Sequence, residues 1–555
     1  MRLGGIFVLG MLVLATAARA EDAARCLATS GRADTLCLEA YLAAIERCRR
    51  TADADCEAAA RADDGRLAQL VAAPGTSIGV ACDDPASEHL GYTSAADVVT
   101  RAREWCGDFG EDLLSLGFSA DLATLDAAAL RCQRVVTEQL RWLRRKTLSI
   151  FGPGCALREG LGAMCARPRR DAAVARLVAA ARARITEYCG SSFDALGLGP
   201  LDTLLDTVVL RTRYYAIRVY PPNNLGPTAD FGPYPVGVTT LPLSDATRSN
   251  VQNTGPRPVL TEVYYPSTSD AIAGLPRDVV KVFNIPIVAT PAYRDVSIAP
   301  GSFPLVLFSH GNGGIRFQSI FFALHLASHG YVVVSPDHHG NTFVDIAAGI
   351  VDPQVAANRP RDISFLIDQF LAFNAESGNR FVGSIIPDAI GMSGHSFGGF
   401  TAFALAGPGG DPRVRAILPQ APAAVFPDDF FQAITIPVLI AGGSIDETTE
   451  FTVNQQRPFD LLPADARVVA LAELENAGHF TFSDFCEVDR HLLSFLGGFD
   501  EACEPRHLPW RHAHDIVNYL SLNFFDATLR GDDAALARLD PAVVGSIEDL
   551  RWQHK

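Results

Sequence analysis

The sequence predicts an α/β fold, a mainly parallel sheet flanked by helices, preceded by an all-helical, disulfide-rich module. Three observations carry this reading. Apolar strands alternate with helices from about residue 305 onward, the pattern of a sheet covered on both faces. Ten of the twelve cysteines fall between Cys26 and Cys189, and none lies between Cys189 and Cys486. The text before residue 200 is rich in Ala, Leu and Arg with helical spacing, as in Val174, Leu177, Val178, Ala181 and Ile185. A chain of 555 residues, 48% hydrophobic and 20% charged, is long enough for several packed cores. Its net charge of −16 argues against nucleic acid or an anionic membrane as the main partner.

The elements follow in order. Residues 1–20 read as a signal peptide: Arg2, the apolar run Ile6 to Ala15, and Ala18-Arg19-Ala20 as a small-x-small cleavage site. No later stretch is long and apolar enough for a membrane span. A secreted or periplasmic product is expected, and an even number of cysteines agrees with that compartment. Residues 21–203 form the cysteine-rich helical module. Cys82 to Cys106 and Cys165 to Cys189 each span 24 positions, and Glu104-Trp105-Cys106-Gly107 matches Glu187-Tyr188-Cys189-Gly190 at a period of 83 residues. Cys26 to Cys56 is a preceding helical hairpin or partial copy. Disulfide scaffolding is preferred to metal binding, since no CxxC pair occurs. The module is read as structural, with a partner or polymer as a possible ligand.

Residues 204–555 are expected to form the second domain, the α/β one. Val208 to Leu210, Tyr214 to Tyr220 and Leu260 to Tyr265 read as strands. Leu305 to Phe308 is a buried strand, followed by His310-Gly311-Asn312-Gly313-Gly314. Phe321 to His329 is a helix, Tyr331 to Ser335 a strand and Ile363 to Phe370 a helix. Ala389 to Ser393 is a strand that runs into Gly394-His395-Ser396-Phe397-Gly398, and a helix begins at Phe400. Val414 to Leu418, Pro437 to Ala441 and Val468 to Leu471 are further strands.

The chemistry lies where strands end. Gly394-x-Ser396-x-Gly398 sits between an apolar strand and a helix, the context of a turn so tight that its flanks must lack bulk. Gly75-Thr76-Ser77-Ile78-Gly79 has the same pattern without the strand and is taken as chance. A serine needs a base and an acid that orients it. Asp446 follows the Pro437–Ala441 strand, and His479 follows the Val468–Leu471 strand, in the order Ser, Asp, His. An oxyanion needs two N–H donors. Phe397 supplies one and Asn312 the other, with Gly311 or Gly313 as fallback.

Residues of about 235–500 resemble an α/β-hydrolase of the group holding platelet-activating-factor acetylhydrolases and bacterial predicted dienelactone hydrolases. The carrying residues are Phe308-Ser309-His310-Gly311, Ala327 to Val333, Pro336-Asp337-His338, Gly394 to Gly399, and Gly478-His479-Phe480 leading to Cys486. The resemblance implies the α/β-hydrolase fold and serine-dependent ester hydrolysis with no metal and no cofactor. In the animal acetylhydrolases the acid follows the preceding strand. Here that place reads Leu418-Pro419-Gln420-Ala421-Pro422 and holds no carboxylate, which supports Asp446.

Other residues have plainer readings. His325 and His329 are packing and capping residues rather than a metal pair. Asp337-His338-His339 either lines the pocket rim or is structural. His507, His512, His514 and Asp515 are a solvated face rather than a zinc site. Cys486 and Cys503 pair. Phe426, Phe430 and Phe431 form an acyl-binding wall, a partial lid or core. The expected function is a secreted serine hydrolase of esterase or lipase type, acting on short-chain, lipid or polyester substrates through an acyl-enzyme. The alternative is a non-catalytic binding or adhesion protein that uses the cysteine-rich module.

Overall fold

The computed structural model describes residues 29–46 and scattered positions from 26 to 82, then 95–118, 125–151, 167–219, 225, 228–282, 285–487 and 502–555. The 1–20 segment, residues 75–77 and 79 of the second Gly-x-Ser-x-Gly match, Cys56, Cys155 and Cys165 lie outside the described residues. The chain divides into two compact units, residues 1–223 and 224–555.

The first unit is helical among its described residues. Residues 29–46 are helical, followed by α1 (Ala95–Gly117), α2 (Ala127–Phe151), α3 (Arg167–Cys189) and α4 (Leu201–Val219). Disulfides join Cys26 to Cys82, Cys37 to Cys106 and Cys132 to Cys189. The matching cysteines Cys106 and Cys189 thus each reach back to an earlier helix. Their surroundings differ: α1 continues to Gly117, whereas α3 stops at Cys189 and Gly190 turns with φ +51.

One expectation is overturned here. The sequence predicts strands at 208–210 and 214–220, yet α4 covers Leu201–Val219. Leu204, Leu205, Val208, Thr212 and Tyr215 are buried at helical spacing, and α4 packs on α1, α2 and α3. That packing overrides the strand preference of Val208, Val209, Tyr214 and Tyr215. The expected break at 203/204 cuts this helix, and the division between units falls at 223/224.

The second unit is a ten-stranded mixed sheet with helices against it. The strands are β1 (Val236–Ser249), β2 (Pro256–Pro266), β5 (Ala292–Arg294), β6 (Phe303–Ser309), β7 (Val332–Pro336), β8 (Ile385–His395), β9 (Val414–Gln420), β10 (Val438–Gly443), β11 (Val469–Leu474) and β12 (Leu550–His554). A separate hairpin holds β3 (Val279–Val282) and β4 (Ile285–Ala289). The order is β12-β11-β10-β9-β8-β6-β7-β2-β1-β5. From β7 to β11 the neighbours are parallel; β12, β2 and β1 join antiparallel. Every residue of β6 and β7 is buried, as central parallel strands require.

Five helices matter for the site: α5 (Ile320–Ser328), α6 (Val355–Ala375), α7 (Phe397–Ala406), α8 (Asp428–Gln432) and α9 (Trp510–Leu529). α6 buries Arg359, Asp362, Ile363, Leu366, Ile367 and Phe370 along one face. Strand order reverses direction at β6, which lies between β7 and β8. In open α/β sheets the crevice at such a reversal, beyond the strands' C-terminal ends, is where ligands bind.

Candidate active site

Ser396 stands in the turn between β8 and α7, with φ 57 and ψ −116. That is a conformation few side-chain-bearing residues adopt. The flanking glycines leave no room. A Cβ on Gly398 would lie 1.7 Å from Ser309 O, and one on Gly394 2.5 Å from Gly398 C. A Cβ on Gly399 would meet Pro422 Cβ at 2.6 Å. The backbone packs on itself here, and the serine side chain is what the turn presents.

Asp446 and His479 meet. Asp446 follows β10 and His479 follows β11, so both lie on the rim to which β8 delivers Ser396. His479 Nδ1 is 2.9 Å from Asp446 Oδ2. Asp446 Oδ1 accepts the N–H groups of Thr448 and Thr449, and Oδ2 accepts the Thr449 hydroxyl at 2.8 Å. Thr449 Oγ1 also lies 3.2 Å from His479 Nδ1. Nδ1 of His479 is therefore the protonated nitrogen, and Nε2 is left with a lone pair. Among the described residues the Ser396 hydroxyl has no hydrogen bond to His479; such bonds often tighten only when substrate binds.

His395 ties the turn to the base. Its ring centroid is 4.6 Å from that of His479, and its Nε2 donates to His479 O at 2.9 Å. Its Nδ1 accepts from Gln318 Nε2, 2.6 Å away, and Gln318 Oε1 accepts Gly311 N–H at 2.8 Å. Burial holds His395 well below the usual histidine range, so the ring stays neutral and the chain of donors runs one way.

The loop after β6 has few N–H groups to spare. Gly311 N–H goes to Gln318, Gly313 N–H to Asn341 O and Gly314 N–H to Gly311 O. Among the described residues, the N–H groups of Asn312 and Phe397 donate to no protein acceptor. The two fallback donors, Gly311 and Gly313, are both engaged.

The remaining residues sort as follows. Asp337 and His339 line a cavity of about 330 Å³ with Ile315, Arg316, Phe317 and Phe343. His338 turns inward, with Nε2 2.8 Å from Ser309 Oγ and Nδ1 3.0 Å from Asp362 Oδ2. His325 is buried, and His329 closes α5, its N–H reaching His325 O and Leu326 O. The solvated face expected at 507–515 is corrected: His507, His512 and His514 are buried. α9 packs on α5, β8 and β9 and is apolar on several sides, with Ile516, Val517, Leu520, Phe524 and Phe525 buried. His514 Nε2 lies 3.1 and 3.2 Å from the carbonyls of Thr481 and Ser483, just after His479. Among the described residues no three His, Cys, Asp or Glu side chains are grouped to hold a metal ion. Cys486 and Cys503 are bonded. Phe431 is core, whereas Phe426 stacks between Phe400 (4.6 Å) and Phe430 (4.0 Å), and Phe400 lies 5.1 Å from Phe397.

Sequence reasoning missed Thr449 and Gln318, which touch Asp446 and His395. Only Thr449 carried a local signal, a hydroxyl three residues past an aspartate.

A family profile described as PETase, PET hydrolase-like, matches residues 307–500. The family is of α/β-hydrolase type, and the match supports ester hydrolysis at that coarse level. It begins within β6 and extends past His479, so the three site residues all lie inside it. No curated protein matches the chain.

Proposed function

We propose that the chain is a secreted serine hydrolase of carboxylic esters, with Ser396 as nucleophile, His479 as base and Asp446 as its orienting acid. The Ser396 hydroxyl attacks the ester carbonyl carbon while His479 Nε2 takes its proton. The tetrahedral oxyanion is held by the N–H groups of Asn312 and Phe397. As the carbonyl reforms, the alcohol leaves with the proton from His479, and an acyl-enzyme remains. Water, deprotonated by His479, releases the acid. Asp446 holds the tautomer that this sequence of proton transfers needs.

The observation that carries the reading is the Asp446–His479 pair beside a serine turn that admits no side chain at its glycines. The PET hydrolase-like match makes a polyester one substrate class, beside short-chain and lipid esters. The row Phe397, Phe400, Phe426 and Phe430 would wall the acyl or aromatic part. The disulfides seen among the described residues, Cys26–Cys82, Cys37–Cys106, Cys132–Cys189 and Cys486–Cys503, are compatible with secretion, and no described helix is long and apolar enough to cross a membrane. Affinity to acetylhydrolases and dienelactone hydrolases is a narrower version of the same proposal.

The test is fluorophosphonate labelling of the protein with peptide mapping, beside p-nitrophenyl ester turnover of wild type and Ser396→Ala. Label on Ser396 and loss of turnover in the variant are expected. A folded, disulfide-intact protein that takes no label would sink the proposal and favour a binding role for the first unit.

A further inference from the structure

Beneath the loop that carries Asn312 lies a fully buried guanidinium. Arg359, on α6, is 0% exposed. Its Nη1 donates to His310 O at 2.5 Å and to Ser309 Oγ at 3.0 Å. Its Nη2 donates to Gly311 O at 2.9 Å. Nε and Nη2 both donate to Asn341 Oδ1, at 2.9 and 2.7 Å, and Asn341 Nδ2 donates to Asn312 Oδ1 at 2.8 Å. The guanidinium carbon also lies 4.7 Å from the centre of the Phe397 ring. Arg359 therefore touches the residue or the peptide of both N–H groups that the mechanism assigns to the oxyanion.

The bond to Gly311 O has a geometric consequence. In a trans peptide the C=O and the following N–H point in opposite directions, and none of the described peptides is cis. With Gly311 O held by Arg359 and by His310 Nδ1 at 2.7 Å, the Asn312 N–H must point away from both. The preceding peptide confirms the direction. His310 O faces Arg359, and Gly311 N–H on its other side reaches Gln318, the partner of His395. The side away from Arg359 is the side of the nucleophile: a Cβ on Gly311 would lie 3.4 Å from Ser396 Cβ. Hydrogen-bonded groups in low dielectric polarise one another, so a cation on Gly311 O makes the Asn312 N–H a stronger donor.

Among the described residues no carboxylate is bonded directly to the guanidinium, although Asp362 acts on it through space. Asp362, three residues on, is taken by Arg257, Arg248 and His338. Burial draws Arg359 down to about 9, which leaves it protonated at neutral pH.

We infer that Arg359 is a positioning residue of the oxyanion hole: its guanidinium fixes the 310–312 peptides so that Asn312 N–H faces the substrate oxygen, and lends that N–H its charge. The inference rests on the proposed esterase reading. A cation that only filled the core would move stability; one with this role must move the chemical step.

The experiment compares wild type with Arg359→Lys, Arg359→Gln and Asn341→Asp. Thermal melts, p-nitrophenyl ester kinetics and inhibition by an alkylboronic acid, a tetrahedral oxyanion mimic, are read for each. Asn341→Asp keeps an acceptor for Arg359 but neutralises its charge and drops the bond to Asn312, so it decides the matter alone if Arg359→Gln does not fold. One lost oxyanion donor lowers kcat by roughly 10²–10³, so a weakened one should lower it by about 10- to 100-fold. KM should stay within about two-fold, because the interaction forms only as the oxyanion does. The boronate inhibition constant should rise with the loss in kcat, and Arg359→Lys should recover part of it. An active, Ser396-labelled wild type whose folded variants keep kcat within about two-fold, or lose only KM, overturns the role of Arg359. A wild type without Ser396 label overturns the esterase reading beneath it.

Discussion

Asp446 to Asn is the sharpest change available at a single residue. The amide keeps the shape and, through Oδ1, the N–H bonds from Thr448 and Thr449, but its nitrogen no longer accepts the Thr449 hydroxyl. It can also donate to His479 Nδ1, which moves the ring proton to Nε2 and blocks the base. Esterase kcat should fall by on the order of 10⁴ with little change in KM or in folding. A loss below about ten-fold in p-nitrophenyl ester assays would mean that another group orients His479. The strand-end placement of Ser396, Asp446 and His479 was legible in the sequence because each sits just past an apolar strand, so local text reports their place on the rim. Arg359 was not. It lies in a polar stretch, Asn358-Arg359-Pro360-Arg361-Asp362, where a charge reads as solvated. Only the packing of α6 under the β6 loop buries it. Gln318 was hidden for a similar reason, since its partners Gly311 and His395 are brought to it through space.

At the scale of elements, the segment after His479 is held from two sides. His514 on α9 meets the carbonyls of Thr481 and Ser483, and the Cys486–Cys503 bond closes a loop of 17 residues. Cys486→Ala with Cys503→Ala should lower the unfolding free energy of the second unit by about 3 kcal/mol. Denaturant titration checks it; an unchanged midpoint would assign the bracing to α9 alone. The strands β6 to β11 were legible because short apolar runs of three to five residues, bounded by turn residues, recur between helical stretches. α4 and α9 were not. In α4, Tyr and Val suggested a strand while the burial spacing of Leu204, Val208, Thr212 and Tyr215 was helical. In α9, histidines at its start suggested solvent, although the apolar residues that follow place it in the core.

The whole second unit carries a set of buried neutral histidines, and these govern its response to acid. Burial pulls His325 and His514 to about 3 and His338 to about 4; His310 and His395 lie well below the usual range. Each binds a proton in the unfolded chain near pH 6.5 and resists one in the folded chain. The unfolded state therefore holds more protons between about pH 4 and 6.5, and stability falls as pH falls through that window, by roughly 1.4 kcal/mol per pH unit for each group. Asp515, pushed up to about 7 by burial, works in the opposite direction, as do Asp337 and Glu473, whose carboxyls burial also raises. The melting temperature should be lower at pH 5 than at pH 7.5. A flat profile would show that these rings are hydrated in solution.

The φ of 57 at Ser396 bears on how such a molecule can be improved. A left-handed backbone with ψ −116 suits glycine and strains serine, at a penalty of about 1–3 kcal/mol. Ser396→Gly should therefore melt higher than wild type while losing all turnover, and Ser396→Ala, which keeps the strain, should not gain in the same way. If Gly melts no higher than Ala, the turn is relaxed as built. If it does, thermal stability and reactivity compete at this position, and selection for heat tolerance alone would erode the nucleophile first.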